Sequence, residues 1–178
     1  MNQGDRAIVL GVISDTHGLL RPEALAALTG CDRLLHAGDV GGPEVLEALA
    51  VRAPLVAVRG NNDHGPWAER LPEVATVEAG GLALLLLHDA SEVRRRFPEG
   101  PAAAGFAAVI AGHSHRPRCE RADGVLWFNP GSAGPRRFRL PVAVGRLRIA
   151  RGAIEGEIVE LAVPPTANAF RKKSPPPH

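Results

Sequence analysis

The chain has 178 residues, of which 45% are hydrophobic and 22% charged, a balance that is ordinary for a globular domain and excludes a largely disordered chain. Its formal net charge of +2 is too small to indicate nucleic-acid binding by itself. The longest apolar runs, residues 7–13 and 82–87, fall far short of the roughly 17 to 25 residues that cross a bilayer, so we expect no membrane span.

The first third of the chain alternates between strand and helix patterns. Residues 7–13 are continuously apolar and rich in branched side chains, as in a strand that an α/β sheet buries on both faces. A helix is predicted to begin at Pro22 and to end at Gly30, and a strand follows at Leu34 and Leu35. A second helix is predicted to begin at Pro43, followed by a strand at 55–58. Each proline stands in a first helical turn, where a missing N–H is tolerated.

The remainder of the chain favours strands and therefore a second sheet. Predicted strands lie at 74–78, 82–87, 109–111 and 125–128, with one helix at 91–97, and residues 140–149 and 153–161 are predicted to form a hairpin. From Pro164 onward, repeated prolines leave little to bury. We therefore expect one domain at 1–163 and a disordered tail at 164–178.

Polar residues follow most of the predicted strands. The apolar run at 109–111 stops at Gly112, and His113 and His115 follow with an i, i+2 spacing that lets two imidazoles reach one ion or two neighbouring ions. Because ligand sites in α/β sheets lie beyond the carboxyl ends of strands, we expect such groups to converge. The candidate metal ligands are Asp15, His17, Asp39, Asn61, His88, His113 and His115.

Seven ligands exceed what one tetrahedral ion takes, but they fit two divalent ions that share a bridging carboxylate, for which Asp39 is the candidate. Imidazole, carboxylate and one amide oxygen favour manganese, iron, zinc, nickel or cobalt over calcium, with magnesium a weaker fit and manganese our first choice. Two such ions, two aspartates and a hydroxide leave a charge of about +1, which attracts an anionic phosphate ester.

Five motifs in a fixed order resemble those of the calcineurin-like metallophosphoesterases: Asp15-Thr16-His17, Gly38-Asp39, Gly60-Asn61-Asn62-Asp63, His88 and Gly112-His113-Ser114-His115. Singly these motifs are weak, whereas the ordered set is specific. The small size and the Asn129-Pro130-Gly131-Ser132 loop make the chain most similar to the minimal bacterial and archaeal phosphodiesterase branch. The resemblance implies an α/β fold of two β-sheets face to face, a sandwich flanked by helices in four layers.

The resemblance also implies how the ligands divide between two metals. One ion would take Asp15, His17, Asp39 and His115, and the other Asp39, Asn61, His88 and His113. The implied activity is hydrolysis of phosphate esters, above all phosphodiesters, by a hydroxide that bridges the ions. Two alternatives stay open: a non-catalytic scaffold of the same fold, as in the retromer subunit, and a nuclease of the same superfamily.

Two positions depart from the family pattern. Asn62 stands where the larger protein phosphatases of the superfamily have a proton-donating histidine, and an amide cannot act as an acid. Without that acid, we expect esters with good leaving groups, such as aryl phosphodiesters, to react best. Asp89 follows His88 where glycine is expected, and among orienting an imidazole, altering the metal choice and facing water, we favour the last.

Three neighbouring residues are the candidates for catalytic roles beyond metal binding: Asn62, Asp63 and His64. Asp63 is better suited to an outer partner than to a ligand, and His64 either contacts substrate or is an ordinary exposed loop residue. We expect His36 to be packed or to support a ligand.

Nothing in the sequence indicates secretion, because the residues before the first strand lack a basic leader, so we expect a cytoplasmic protein.

Cys31 and Cys119 are not paired in a CxxC motif, and we predict two buried free thiols. The expected partner is a small phosphate ester. Nucleic acid and a homo-oligomer stay open, and the arginine clusters at 94–96 and 136–137 are expected to be solvated faces.

Overall fold

Ten strands and four short helices make up the fold in a computed structural model that describes residues 6–137 and 139–164. The strands are β1 (Ile8–Ile13), β2 (Arg33–His36), β3 (Leu55–Ala57), β4 (Val74–Ala79), β5 (Leu82–Leu87), β6 (Phe106–Ile110), β7 (Arg118–Ala122), β8 (Val125–Asn129), β9 (Ala143–Ala150) and β10 (Ala153–Glu160). The helices are α1 (Pro22–Ala27), α2 (Pro43–Ala50), α3 (Pro66–Glu69) and α4 (Val93–Arg96), the last preceded by a 3₁₀ turn (Ala90–Glu92). None of the described helices is long and apolar enough to span a bilayer.

The strands form two mixed sheets of five. The first has the order β10-β9-β1-β2-β3, and the second has the order β4-β5-β6-β8-β7. In the first sheet β1, β2 and β3 run parallel, and in the second β5, β6 and β8 do so, while the other strands pair antiparallel. Each sheet therefore presents the carboxyl ends of three parallel strands at one edge.

Three apolar layers hold the sheets and helices together. Leu10 and Leu35 of the first sheet meet Leu84 and Leu86 of the second in the central layer. Outer layers lie between the first sheet and helices α1 and α2, and between the second sheet and α4. Because both faces of β1 and β5 are covered, their sequences are continuously apolar instead of alternating. The predicted α/β sandwich of two facing sheets flanked by helices is confirmed.

The predicted elements that carry an apolar pattern are present, and those without one were missed. Strand β7 escaped prediction because it lies at the edge of its sheet with every residue exposed. Helix α3 is only four residues long, and the helix predicted at 91–97 is a 3₁₀ turn followed by α4. The strand predicted at 109–111 lies slightly earlier, as β6.

The prediction of two buried thiols is half right. Cys31 is buried in the layer under α1, but Cys119 is exposed because it lies on the edge strand β7. Of the tail predicted at 164–178, only Pro164 belongs to the described residues, and the rest lies outside them.

The loops that follow the parallel strands are joined by main-chain hydrogen bonds. Beyond β1 and β2, the N–H groups of Asp15 and His17 donate to the carbonyls of Gly38 and Asp39 at 3.0 and 2.9 Å. A further bond joins the two sheets: Ala133 N–H, in the loop after β8 of the second sheet, donates to the carbonyl of Ser14, which follows β1 of the first, at 3.0 Å. The polar loops of the two sheets are thereby held against each other.

Asp63 ties the loop after β3 to the loop after β2. Its side chain is 3% exposed, and its carboxylate accepts the N–H groups of Val40, Gly41 and Gly60 at 3.1, 2.9 and 2.9 Å. Three main-chain donors satisfy both oxygens, as expected for a buried carboxylate. Asp63 is thus a structural anchor of these loops.

His36 is fully buried at the end of β2, which agrees with the expectation that it is packed. Its Nδ1 accepts the N–H of Gly38 at 3.2 Å, so Nε2 carries the ring proton and donates to Thr16 Oγ1 at 2.9 Å. The Thr16 hydroxyl donates in turn to the Val40 carbonyl at 2.8 Å. Burial lowers the pKa of His36 to about 4, so the ring is neutral at pH 7.

Asp63→Asn is expected to lower the free energy of unfolding by about 3 kcal/mol, because the amide nitrogen would face a buried N–H donor and the remaining oxygen would be a weaker acceptor. The matched control is Asp32→Asn, whose carboxylate accepts Val9 N–H at 2.8 Å but pairs with the exposed Arg6. We expect a loss of about 1 kcal/mol or less there. Chemical denaturation of metal-stripped protein gives both values, and equal losses would contradict the anchoring role.

Acid is expected to destabilise the protein through His36. The unfolded chain takes up this proton below about pH 6.5, whereas the folded chain resists it down to about pH 4, so stability falls as the pH falls through that window, by about 3 kcal/mol in total. In His36→Gln this contribution should vanish, leaving a shallower pH dependence set by the other groups. Denaturant titrations between pH 7 and pH 4 measure both curves; parallel curves would refute the assignment.

Candidate metal centre

The seven predicted ligands come together at the carboxyl ends of the parallel strands. The loop after β1 carries two of them, the loops after β2, β3 and β5 one each, and the loop after β6 two. Both sheets therefore supply donors, four from the loops after β1, β2 and β3 of the first sheet and three from the loops after β5 and β6 of the second. In order along the chain, the donors are Asp15, His17, Asp39, Asn61, His88, His113 and His115.

One group of donors consists of Asp15, His17 and His115, whose ligand atoms lie within 4.8 Å of one another. His115 Nε2 lies 3.2 Å from Asp15 Oδ1, and the rings of His17 and His115 have centroids 5.5 Å apart. Asp39 adjoins this group, since its Oδ2 lies 3.8 Å from His17 Nε2. Two imidazoles and two carboxylates are a common ligand set for a transition metal.

A second group consists of Asp15, Asp39 and His88, again within 4.8 Å. Asn61 Oδ1 lies 3.0 Å from both His88 Nε2 and His113 Nδ1, which extends the group to five donors. Asp15 belongs to both groups. Asp39 belongs to the second group and also lies near the first, because its Oδ2 is 3.8 Å from His17 Nε2. Both carboxylates thus lie between the groups, so the choice of Asp39 as the bridge stays a prediction.

The backbone is left-handed at five of the seven ligands. The φ angles of Asp15, His17, Asp39, His113 and His115 are 55, 47, 53, 65 and 58°. Among the other described non-glycine residues, only Asp123 and Arg151 share this conformation. Such angles cost on the order of 1 kcal/mol or more each, and they persist only where surrounding contacts impose them. Their concentration here marks this edge of the sheets as a functional site.

Two motif glycines are required by close approach. A Cβ at Gly60 would lie 2.1 Å from the main-chain nitrogen and from Oδ1 of Asp39. A Cβ at Gly112 would lie 1.9 Å from Ser14 Oγ and 2.7 Å from Asp15 Oδ2. The glycines before Asn61 and His113 therefore let neighbouring loops touch where the ligands converge.

The donor set passes a test for cation binding at Asp15. This carboxylate is fully buried, and its Oδ2 accepts the Ser14 hydroxyl at 2.6 Å and His113 N–H at 3.1 Å. Among the described residues its Oδ1 has no hydrogen-bond partner, although His115 Nε2 lies 3.2 Å away without hydrogen-bond geometry. A buried carboxylate oxygen without a donor is costly unless it coordinates a cation.

The charges of the centre also suit a metal. Burial by itself raises the pKa of Asp39, but hydrogen bonds from His88 and Asn62 outweigh it and hold the pKa well below its usual range. Burial lowers the pKa of His88, yet contact with Asp39 and the Ala37 carbonyl raises it overall. Burial lowers the pKa of His17, and the nearby aspartates offset only part of that. A metal bound by His88 would have to displace the proton that contact with Asp39 helps this ring to hold, so acid would weaken metal binding.

Residues that hold the ligands in place were not predicted as such. The Asn129 amide donates to the Gly112 carbonyl at 2.7 Å and to Ser114 Oγ at 3.1 Å, next to His113. The Ser132 hydroxyl donates to the Asp15 carbonyl at 3.1 Å. The Asn-Pro-Gly-Ser turn was visible in the sequence, but its contacts with loops far along the chain were not.

The three other candidate catalytic residues have different surroundings. Asn62 contacts the centre, since its main-chain N–H and side-chain amide donate to the two oxygens of Asp39 at 2.8 and 2.6 Å. Asp63 directs its carboxylate to main-chain N–H groups, as described above. His64 is exposed and lines a cavity of about 470 Å³ that also borders His88.

Asp89 does not simply face water, which was the favoured expectation. Its Oδ1 accepts Ser91 N–H at 2.9 Å, which caps the 3₁₀ turn, and its Oδ2 lies 3.9 Å from His113 Nε2. The caps of short turns are often aspartates for this reason. One oxygen of the Asp89 carboxylate thus lies near His113, a candidate ligand, while the other caps the 3₁₀ turn that leads into α4.

Comparisons with known proteins agree with this geometry. A family model described as the calcineurin-like phosphoesterase superfamily domain matches residues 8–152. A probable metallophosphoesterase from Methanothermobacter thermautotrophicus is 32% identical over 174 residues, which cover 88% of this chain and 95% of the relative.

Solved structures share the fold at lower identity. The structure of an archaeal phosphodiesterase matches with a TM-score of 0.70 and 22% identity, covering 85% of this chain and 100% of that chain. Vps29 from Entamoeba histolytica in complex with zinc matches with a TM-score of 0.63 and 20% identity, covering 86% and 99%. The family match over most of the chain and the archaeal relative lead to one conclusion: this chain belongs to the calcineurin-like phosphoesterase superfamily.

Proposed function

We propose that the protein is a hydrolase that uses two divalent metal ions to cleave phosphate esters, with phosphodiesters as its preferred substrates. The observation that carries the proposal is the meeting of seven oxygen and nitrogen donors from both sheets, next to a buried Asp15 oxygen that no donor among the described residues reaches. Manganese is the first choice of metal, with iron, zinc, nickel or cobalt as alternatives and magnesium less suited.

Bound ions would polarise the phosphoryl oxygens and supply a nucleophilic water at neutral pH. The protein's own part is to hold the donors rigidly. Ser14 and His113 N–H fix the orientation of Asp15, while Asn62 fixes that of Asp39. His88 is oriented by the Ala37 carbonyl, 2.7 Å from its Nδ1, which leaves Nε2 directed toward Asn61 and Asp39.

The preference for diesters follows from charge and from Asn62. A diester carries one negative charge, which matches the charge of about +1 counted from two ions, two aspartates and a hydroxide. Asn62 hydrogen-bonds Asp39 with its amide and offers no acidic proton to a leaving group. The likeness to an archaeal phosphodiesterase supports the same substrate class.

A scaffold function is the first alternative, and metal binding alone does not exclude it. Vps29 has this fold and has been solved in complex with zinc, so zinc binding is compatible with a protein named for vacuolar sorting. The feature that favours an enzyme is the adjoining cavity of about 470 Å³ beside Asn61, His88 and His113. A scaffold has no use for donors that open into a substrate-sized cavity.

A nuclease is the second alternative, and the charges around the cavity disfavour it. Five acidic residues line this cavity against one arginine, Arg59; they are Asp63, Glu69, Glu73, Asp89 and Glu92. In the 94–96 cluster, Arg95 and Arg96 pair with Glu92 at 3.1 and 2.7 Å. A polyanionic strand requires a surplus of positive charge along its path. We therefore propose a small ester as the substrate.

Loss of the proposed bridge should affect both ions. Asp39→Asn is expected to lower activity on an aryl phosphodiester by about 100-fold or more, because metal-ion stabilisation is worth several kcal/mol, and by more than His115→Ala. Plasma spectrometry should give two ions per native chain and fewer than one in Asp39→Asn. Asp15→Asn is the informative companion, since Asp15 belongs to both donor groups. One ion per native chain, or full activity in Asp39→Asn, would refute the two-metal assignment.

The absence of an acid at Asn62 should make the rate depend steeply on the leaving group. A positioned acid is worth about 10² to 10⁴ in rate, so aryl phosphodiesters should react fastest and the logarithm of the rate should fall steeply as the leaving-group pKa rises. His64 is the exposed residue nearby that would supply a proton otherwise. The same slope in native protein and His64→Ala supports the assignment; a shallow native slope that steepens in the variant identifies His64 as the donor.

A further inference from the structure

One cationic side chain stands at the metal centre although its loop supplies none of the candidate ligands. Arg137 Nη2 lies 3.5 Å from His17 Nε2, across 120 positions of sequence. Among the described residues Arg137 forms no ion pair with a carboxylate, whereas Arg59 and Arg96 pair with glutamates at about 3.0 Å. Its charge is therefore available to an anion bound beside His17.

The loop that carries Arg137 is fixed to the centre by several bonds. Ala133 N–H and the Ser132 hydroxyl donate to the carbonyls of Ser14 and Asp15, at 3.0 and 3.1 Å. The Gly134 carbonyl accepts two N–H groups of Arg21, at 3.3 and 3.1 Å. Arg137 lies three residues after Gly134, whose position these bonds fix, and this limits the positions that its guanidinium group can occupy.

The adjacent Arg136 has a different environment and serves as an internal comparison. Its Nη2 donates to the Val163 carbonyl at 3.5 Å, in the segment after β10, and it contacts none of the candidate ligands. The two neighbouring arginines therefore carry the same charge but have different partners, and of the two it is Arg137 that reaches the metal centre. Both arginines are exposed, as expected of a solvated face, but Arg137 also reaches a candidate ligand, His17.

We propose that Arg137 binds the non-bridging phosphate oxygens of the substrate and of the monoester product. The inference rests on the proposed function, since it takes a phosphate ester as the ligand of the same centre. A guanidinium group offers N–H donors in a planar fork that matches two oxygens of a phosphate. Its approach from the His17 side leaves the acidic cavity beside His88 and His113 for the organic part of the ester.

The product gains most from this contact. Hydrolysis of a diester turns an ester with one negative charge into a monoester that carries about two at neutral pH. The positive charge of Arg137 is additional to the charge counted for the ions and their aspartates, and its attraction grows with the charge on the phosphate group, so it binds the monoester more tightly than the diester. Arg137 therefore favours retention of the product, and monoesters should act as competitive inhibitors.

The direct test is binding of phenyl phosphate, a monoester, to manganese-loaded protein by isothermal titration calorimetry. Arg137→Ala should raise its Kd at least about tenfold, because a charge-assisted hydrogen bond is worth about 1.5 to 3 kcal/mol. Arg137→Lys should lie between, since it keeps the charge and loses the fork. Arg136→Ala is the matched control and should stay within about twofold of native, with manganese content unchanged in all variants.

Steady-state kinetics of the same variants give a second, independent test. With bis(p-nitrophenyl) phosphate as substrate, Arg137→Ala should raise KM, and the inhibition constant of phenyl phosphate should rise by a larger factor than KM. A group that binds substrate and transition state alike changes KM more than kcat. A fall in kcat with KM unchanged would overturn the proposed role.

The outcomes separate this inference from the proposed function. If phenyl phosphate binds with an affinity that depends on Arg137 while no ester is hydrolysed, the phosphate contact stands and the hydrolase assignment fails. If esters are hydrolysed and Arg137→Ala binds phenyl phosphate as tightly as native protein, the contact is refuted and the hydrolase assignment stands. Equal losses in Arg136→Ala, loss of manganese from Arg137→Ala, or no binding by native protein would each refute the contact.

Discussion

The hydrogen bonds around Ser14 and Asp15 are the constraint on which the rest of the centre depends. At these two buried residues the chain leaves β1, and loops from β2, β6 and the segment after β8 all bond to them. The Asp15 side chain accepts from Ser14 and from His113 N–H, which joins the two sheets directly. These hydrogen bonds from neighbouring loops hold the backbone in place. They therefore stabilise the left-handed conformation at five of the ligands.

Much of the fold could be predicted from the sequence because the strands are buried on both faces. Continuous apolar runs such as those of β1 and β5 have few other interpretations, and each ends at a polar cluster where the sheet ends. Strand β7 could not be predicted, because an exposed edge strand follows the pairing of its neighbour and has no apolar pattern. The exposure of Cys119 was missed for the same reason.

The candidate ligands could be predicted because the chemistry of metal binding restricts residue types, and the motifs occur in a fixed order. The roles of supporting residues could not, because they depend on contacts between distant loops. Asp63 appeared as a candidate catalytic group but bonds three main-chain N–H groups, and Arg137 appeared as part of a solvated cluster but meets His17. Sequence distance conceals such contacts, since the residues involved have no common local pattern.

The division of the ligands between two sheets has a consequence for how the protein is maintained. An ion held by Asp15 of one sheet and His115 of the other closes a loop of about 100 residues, which an unfolded chain cannot hold in place. Its binding free energy therefore adds to the free energy of folding. With the proposed ions bound, the concentration of available metal would govern two quantities at once, the fraction of metal-loaded molecules and the rate at which the chain is lost to proteolysis, so metal starvation would lower the amount of the protein as well as its metal content.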